Sequence, residues 1–335
     1  MKFAVLGAGR IGKIHAETLA LRLPDTEVTA IADVYEPAAA ETAARLHIPV
    51  SSSDTLAVIR RDDVDAVAIC TSTDTHVQYI IEAANAGKHI FCEKPIDMEL
   101  AHIDRALEAV EKAGVQLQIG FNRRFDPNFA RVRRAIIEGE VGTPHLLHII
   151  SRDPGPPPIS YVRVSGGMMI DMTIHDFDMA RFLIGSEVEE IYAVAKVRVD
   201  PAIAEAGDVD TALAVLKFAN GVIGTIDNSR KAVYGYDQRV EVFGSGGKIQ
   251  SDNNYPNSAF VSTAQAVYRD LPLNFFIDRY MDSYVIELRA FVDAVRNGTP
   301  VPVSGSDGRI PVVMAKAARR SIDLDRPVKL SEITA

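Results

Sequence analysis

Short apolar runs and helical patterns alternate along the first third of the chain. Runs at 2–6, 27–33, 65–70, 89–92 and 116–120 carry the β-branched and apolar residues of strands. Between them, 11–22, 36–45, 75–86 and 100–112 place apolar residues three and four positions apart, the period of a helix with one buried face. This alternation predicts parallel strands joined by right-handed crossover helices.

After Gly120 the pattern changes. A helix is predicted over 127–138 and a strand over 145–152. Residues 153–160 include four prolines, too many for a regular ladder, and are predicted to be loop. A helix then runs over 171–183 and stops at Gly185. Strands follow at 191–199, 212–218, 221–229, 238–244 and 248–251, with Asn220-Gly221 reading as a two-residue hairpin turn. Helices near 280–296 and 310–322 close the chain. The fold class is therefore α/β. A doubly wound parallel sheet over 1–121 precedes an α+β domain over 122–335, whose open sheet is largely antiparallel.

Composition narrows the function. With 335 residues the chain suits two domains. A net charge of −9 argues against a nucleic-acid partner, and the basic group at 131–134 is interrupted by apolar residues at helical spacing. Two cysteines, Cys70 and Cys92, exclude a disulfide framework and read as buried thiols at strand ends. No apolar stretch approaches the ~20 residues that span a bilayer, so no membrane association and a cytoplasmic location are expected. His145 and His148 fall on opposite faces of their strand, so no metal site is expected.

Gly7-Ala8-Gly9-Arg10-Ile11-Gly12 fits G-x-G-x-x-G, follows a strand and opens a helix, the context in which that pattern binds a dinucleotide. Gly7 permits the tight turn, Gly9 lets the backbone approach a pyrophosphate, and Gly12 lets the helix pack closely. Asp33 closes the second strand. A carboxylate there accepts hydrogen bonds from ribose hydroxyls and repels a 2′-phosphate, and no Arg or Lys follows closely. NAD is favoured over NADP.

Three further segments carry candidate chemistry. Thr71-Ser72-Thr73-Asp74-Thr75-His76 and Glu93-Lys94-Pro95 follow predicted strands, at the rim where open α/β sheets bind ligands. Lys94 can set an ammonium beside a substrate oxygen and stabilise charge developing there. In Asp171-Met172-Thr173-Ile174-His175-Asp176-Phe177-Asp178, a continuous helix puts 171, 175 and 178 on one face. Two carboxylates flanking His175 would raise its basicity and suit it to take a hydroxyl proton. Plainer readings stand beside these: a surface lysine, and an acidic first helical turn with one buried histidine.

Together the segments resemble the Gfo/Idh/MocA oxidoreductase family, and the resemblance spans essentially the whole chain. It rests also on Gly120-Phe121-Asn122-Arg123-Arg124-Phe125-Asp126, on Gly166-Gly167 leading into the Asp171 segment, on Tyr234-Gly235-Tyr236-Asp237, and on a proline-rich loop after Arg152 like that of inositol dehydrogenases. The resemblance implies a catalytic Lys94, Asp171 and His175, with His175 as base, Asp171 supporting it and Lys94 polarising the oxygen. It implies cofactor contacts from Gly7, Gly9, Arg10, Ile11, Gly12, Asp33, Ser72, Thr73, His76 and Glu93. Substrate contacts would come from Lys94, Arg124, Asp171, His175, Asp178 and Tyr234. Ser72 departs from the family's usual proline, and Met168-Met169-Ile170 is more apolar than in some relatives.

The implied reaction is NAD-dependent oxidation of a secondary ring hydroxyl of a polyol, first of all myo-inositol to 2-keto-myo-inositol (scyllo-inosose). Another inositol isomer or a pyranose sugar is the nearest alternative, and a non-catalytic NAD-binding regulator is an alternative of another class. The resemblance also implies a homo-oligomer, a dimer or homotetramer, formed through the open sheet of the second domain.

Overall fold

The computed structural model describes residues 1–334. Contacts divide them into two compact units. The first holds Met1–Phe125 and Asp282–Val312, the second Asp126–Met281 and Val313–Thr334.

The first unit is built on six strands: β1 (Lys2–Leu6), β2 (Glu27–Ala32), β3 (Val50–Ser52), β4 (Ala66–Ile69), β5 (His89–Glu93) and β6 (Leu117–Gly120). Every pairing is parallel, in the order β3-β2-β1-β4-β5-β6. The helices of this half are α1 (Arg10–Glu17), α2 (Glu36–Leu46), α3 (Thr55–Ile59), α4 (Thr73–Asn85) and α5 (Leu100–Ala113). The chain leaves β1 toward one side and reaches β4 from the other, so the β1/β4 junction is the switch point where such sheets hold ligands. Strand β4 is buried at all four positions, as expected of a strand covered on both faces. The predicted helix 11–22 is a correction: regular turns end at Glu17, and Thr18–Arg22 is a π-helical turn.

In the second unit come α6 (Pro127–Ile137), β7 (Pro144–Arg152), α7 (Ile159–Val162), α8 (Gly167–Asp171), α9 (Ile174–Ile184), β8 (Val188–Lys196), α10 (Pro201–Glu205), β9 (Thr211–Phe218), β10 (Ile223–Ser229), β11 (Asp237–Gly244) and β12 (Gly247–Ser251). A two-stranded ribbon, β13 (Val261–Ser262) and β14 (Val267–Tyr268), precedes the long helices α11 (Phe276–Asn297) and α12 (Gly305–Leu324), and β15 (Val328–Lys329) ends the chain's sheet structure. The seven strands order as β12-β11-β7-β10-β9-β8-β15, antiparallel everywhere except at β10 and β7. One face, with Leu147, Ile149, Ala214, Leu216, Ile226, Val240 and Val242, is buried. Helix α9 packs beside β7, and α6 beside α9 and β12. The other face stays open.

Residues 282–312 complete the first unit. Leu288, Phe291 and Val292 of α11 join Phe3, Val5 and Phe91 in one core cluster, with Phe291 edge-on to both phenylalanines. The Ile119 N–H reaches the Val303 carbonyl at 3.0 Å.

Three further expectations change. The strand set at 191–199 begins three residues earlier, at Val188. The Asn220-Gly221 loop has three residues rather than two: the Phe218 N–H donates to the Val222 carbonyl, and the Gly221 N–H returns to Phe218. Gly221 takes φ +88°, the left-handed residue that such a loop requires. The helix expected over 171–183 is two helices, broken at Met172–Thr173, where hydrogen bonding departs from the regular ladder. The Thr173 N–H reaches back five residues to Met168, while that of His175 reaches only three, to Met172. The Thr173 hydroxyl is drawn to Asn228 Oδ1 at 2.7 Å. Asp171 thus ends α8, and only His175 and Asp178 share α9.

Candidate active site

In the first unit the glycine loop is shaped by its lack of side chains. Gly7 takes φ +98°, and a Cβ there would lie 2.5 Å from the Cys70 carbonyl oxygen. At Gly12 a Cβ would lie 1.9 Å from the Gly7 carbonyl oxygen, so the first turn of α1 rests directly on the end of β1. Gly9 is the opposite case: it is exposed, and nothing lies within 4 Å of where its Cβ would be. Gly9 caps α1 without a side-chain bond, and Arg10 and Ile11 open the helix. A helix N-terminus with open backbone is a ready anion site. Asp33 directly follows β2, accepting the Ala8 N–H at 2.6 Å and the Tyr35 N–H at 2.8 Å. The open glycine backbone at a helix N-terminus and the carboxylate beside it are groups that fit a dinucleotide.

The rim beyond β4 and β5 is held by buried polar contacts. Ser72 is exposed at the start of α4, Thr73 is half-buried, and the Thr71 and Thr75 hydroxyls meet at 2.7 Å. His76 is buried, with Nδ1 2.8 Å from the Pro95 carbonyl and Nε2 3.1 Å from the Thr71 carbonyl. Burial pushes its pKa down, and the two carbonyls only partly offset this. Glu93 Oε1 lies 2.6 Å from His15 Nε2. Lys94 follows, half-buried, and the Lys94–Pro95 peptide is cis. Arg124 donates to Asp307 at 3.1 Å. Burial opposes ionisation of Asp307, but Arg124 and two bonds from Ser304 hold its pKa down.

In the second unit Asp171 is gripped from two sides. The Tyr161 hydroxyl donates to one oxygen at 2.9 Å, and Arg230 donates to the other at 2.8 Å. Burial and the Asp171 charge push the Tyr161 pKa up. Burial disfavours the Arg230 charge, yet Asp171 and Asp153 hold the guanidinium protonated. His175 is half-buried in the first turn of α9 and Asp178 is buried one turn on. Asp176 accepts from Asn228 Nδ2 at 2.8 Å, tying α9 to β10. The Tyr234 hydroxyl donates to Asp237 at 2.5 Å and accepts from Arg152 at 3.1 Å, while Arg152 grips Asp227 with two donors. Burial and Asp237 push the Tyr234 pKa up.

The structure thus joins Gly7, Gly9, Gly12 and Asp33 in one loop cluster, and His76 with the segment at Lys94. Sequence reasoning missed Arg230 and Tyr161, which carry no motif of their own. It also missed His15, a polar residue on the buried stripe of α1, which is a signal that can be read. Among the described residues no group of three His, Cys, Asp or Glu could hold a metal ion, and no helix is long and apolar enough to cross a membrane.

Comparison with known proteins follows the same division. A family model described as an oxidoreductase family with an NAD-binding Rossmann fold matches residues 1–121. A model of the GFO/IDH/MocA C-terminal domain matches residues 129–250. The chain is 49% identical over 333 residues to a protein of Thermotoga maritima named myo-inositol 2-dehydrogenase, covering 99% of each. The crystal structure of a probable dehydrogenase from Thermotoga maritima superposes with a TM-score of 0.98 at 48% identity over 100% of both chains. A myo-inositol dehydrogenase from Lactobacillus casei, solved with NAD(H) and myo-inositol, gives 0.88 at 26% identity, covering 100% of this chain and 97% of that one.

Proposed function

This chain belongs to the Gfo/Idh/MocA family of NAD-binding oxidoreductases, and from that premise we propose that it oxidises a ring hydroxyl of a cyclic polyol, myo-inositol first, to the ketone. The observation that carries the proposal is the full-length match to a relative named myo-inositol 2-dehydrogenase. When bound, NAD supplies the hydride acceptor. Gly7, Gly9, Arg10, Ile11 and Gly12 would hold its phosphates, and Asp33 its ribose. Ser72, Thr73 and Glu93 lie on the same rim.

The chain's own groups do the proton work. His175 takes the hydroxyl proton as the carbon–hydrogen bond is lost. Lys94 stabilises the negative charge on the oxygen while the carbonyl forms. Asp171, gripped by Arg230 and Tyr161, is a fixed carboxylate that supports the histidine. Arg124, Asp178 and Tyr234 offer donors and acceptors for the remaining hydroxyls, the kind of pairing that rejects an analogue lacking one of them.

The test is NADH formation with NAD and, separately, myo-inositol, scyllo-inositol, D-chiro-inositol and D-glucose. A rate on one inositol supports the reading. No rate on any of the four, with NADH binding intact, refutes it.

The proposal includes a homo-oligomer, dimer or tetramer, built on the open face of the seven-stranded sheet. Phe243, Leu146 and Ile223 are cross-strand neighbours there, and Leu213 pairs with Val194. All five are exposed. Exposed apolar side chains paired in this way across a sheet face suit a protein interface. Light scattering of Ile223→Arg should give a smaller particle than the wild type, and an unchanged mass removes this face from the assembly. Cys70 and Cys92 are free thiols, which suits the reducing cytoplasm as the compartment.

A further inference from the structure

Glu93 and Pro95 flank Lys94, and each is held by a buried histidine. His15 lies three residues after Gly12 on α1 and is fully buried, edge-on to the rings of Phe91 and Tyr284. Its Nε2 meets Glu93 Oε1 at 2.6 Å, and its Nδ1 has no hydrogen-bond partner. A bond to a carboxylate needs a donor, so the ring proton belongs on Nε2. His76 lies on α4 between the carbonyls of Pro95 and Thr71. A neutral ring donates from one nitrogen only, and the shorter contact, 2.8 Å, puts that proton on Nδ1 facing Pro95.

Packing alone does not account for this. An apolar ring would fill either space without burying polar nitrogens, and buried polar contacts of this kind fix geometry. The two rings also come from the two helices that begin at the glycine loop and at Ser72. We propose that His15 and His76 are positioning residues for Lys94, His15 through the Glu93 carboxylate and His76 through the Pro95 carbonyl. The inference rests on the reading that Lys94 acts on the substrate oxygen, and it deepens that reading. Misplacing a reacting group by ~1 Å can cost ~10²-fold in rate.

The test has two readouts. The lysines are reductively methylated with isotope label, and the Lys94 resonance is identified by its absence in Lys94→Arg and followed without substrate. Turnover and NADH binding are measured on unmodified protein. His15→Phe removes the bond to Glu93, and His15→Gln restores a donor near Nε2. His76→Asn restores a donor near Nδ1, toward Pro95, whereas His76→Gln restores only the contact to Thr71.

In His15→Phe and His76→Gln the Lys94 resonance should shift and broaden. Their kcat should fall by ~10- to 10²-fold, more than any loss in NADH affinity. His15→Gln and His76→Asn should recover the resonance and most of the rate. A Lys94 resonance unmoved in both His15→Phe and His76→Gln overturns the proposal. Equal loss in His76→Asn and His76→Gln also overturns it, because a ring that only fills space does not distinguish them. If His15→Phe does not fold, the two His76 variants decide the matter. A wild-type protein that binds NADH and oxidises no polyol rejects the functional reading, while the resonance still decides on the two histidines.

Discussion

Gly9 caps α1 and Gly12 lies in its first turn, and adding the same methyl group to each should have opposite consequences for stability. In Gly12→Ala the new Cβ would sit 1.9 Å from the Gly7 carbonyl oxygen and 2.9 Å from its carbon. Cβ atoms essentially never approach closer than 3.0 Å, so α1 and the end of β1 must part by about 1 Å. No flexible side chain can give way, because the obstructing atoms are backbone. Overpacking of this kind costs about 1–3 kcal/mol, and it also lifts the helix N-terminus away from the place where phosphates would bind. NADH affinity should fall as well, because the helix N-terminus no longer stands where the phosphates would bind.

In Gly9→Ala the Cβ meets no protein atom within 4 Å, and the backbone, at φ −72° and ψ −170°, suits any residue. The fold should be unchanged or more stable by about 0.4–1 kcal/mol, because alanine narrows the unfolded ensemble. Cofactor affinity should fall nonetheless, since the methyl group takes the space proposed for the pyrophosphate. Thermal unfolding and NADH fluorescence titration on both variants read the two quantities separately. Wild-type NADH affinity in Gly9→Ala would mean that the phosphates do not lie against this residue. Wild-type stability in Gly12→Ala would refute the steric argument itself.

His175→Ala should lower kcat by roughly 10²–10⁴ while NADH affinity is nearly unchanged, and an unchanged kcat would remove the imidazole from the chemistry. Asp33→Ser should narrow the preference for NAD over NADP in steady-state kinetics. A preference equal to that of the wild type would place the ribose contact elsewhere. Acid should weaken the fold through His76: its pKa is held below 6.5 by burial, so below that pH the unfolded chain takes up a proton that the folded chain refuses. Stability is then present above 6.5 and is lost as pH falls toward the depressed folded value. Denaturant titration at about pH 7 and about pH 5 should show a larger loss for the wild type than for His76→Asn, and equal losses would refute the assignment.

The first sheet was legible because each of its signals is local. The strand ends, the glycine turn and Asp33 fall within one βαβ stretch, and 3.6-residue periodicity separates helices from strands there. Strand β3 and helix α3 escaped because three and five residues are too few to show a period. The Asp171 segment failed for a different reason. Its residues satisfy a continuous helix, and nothing in the pattern announces that the Thr173 hydroxyl is taken by Asn228, 55 positions away. Tertiary bonding overrode local preference, so Asp171 and His175 stand on two successive helices rather than on one.

The same distinction separates the parts of the candidate site. Groups that lie at strand ends, Gly7, Asp33, Lys94 and Ser72 among them, are marked by where they stand relative to an apolar run. Groups that hold those residues in place are not. Arg230 is 59 positions from Asp171, and His15 is 78 from Glu93, so each pairing exists only once the chain has closed. What remains readable is the anomaly each leaves behind: a histidine on the buried stripe of α1, or an arginine just past a strand. A buried polar ring or a buried charge is costly unless it is paired, so such an anomaly predicts a partner even where it cannot name one. For this chain the anomaly at His15 points to Glu93 and thence to Lys94, which makes the supporting residues, rather than the motif itself, the place where the arrangement of the site can be tested.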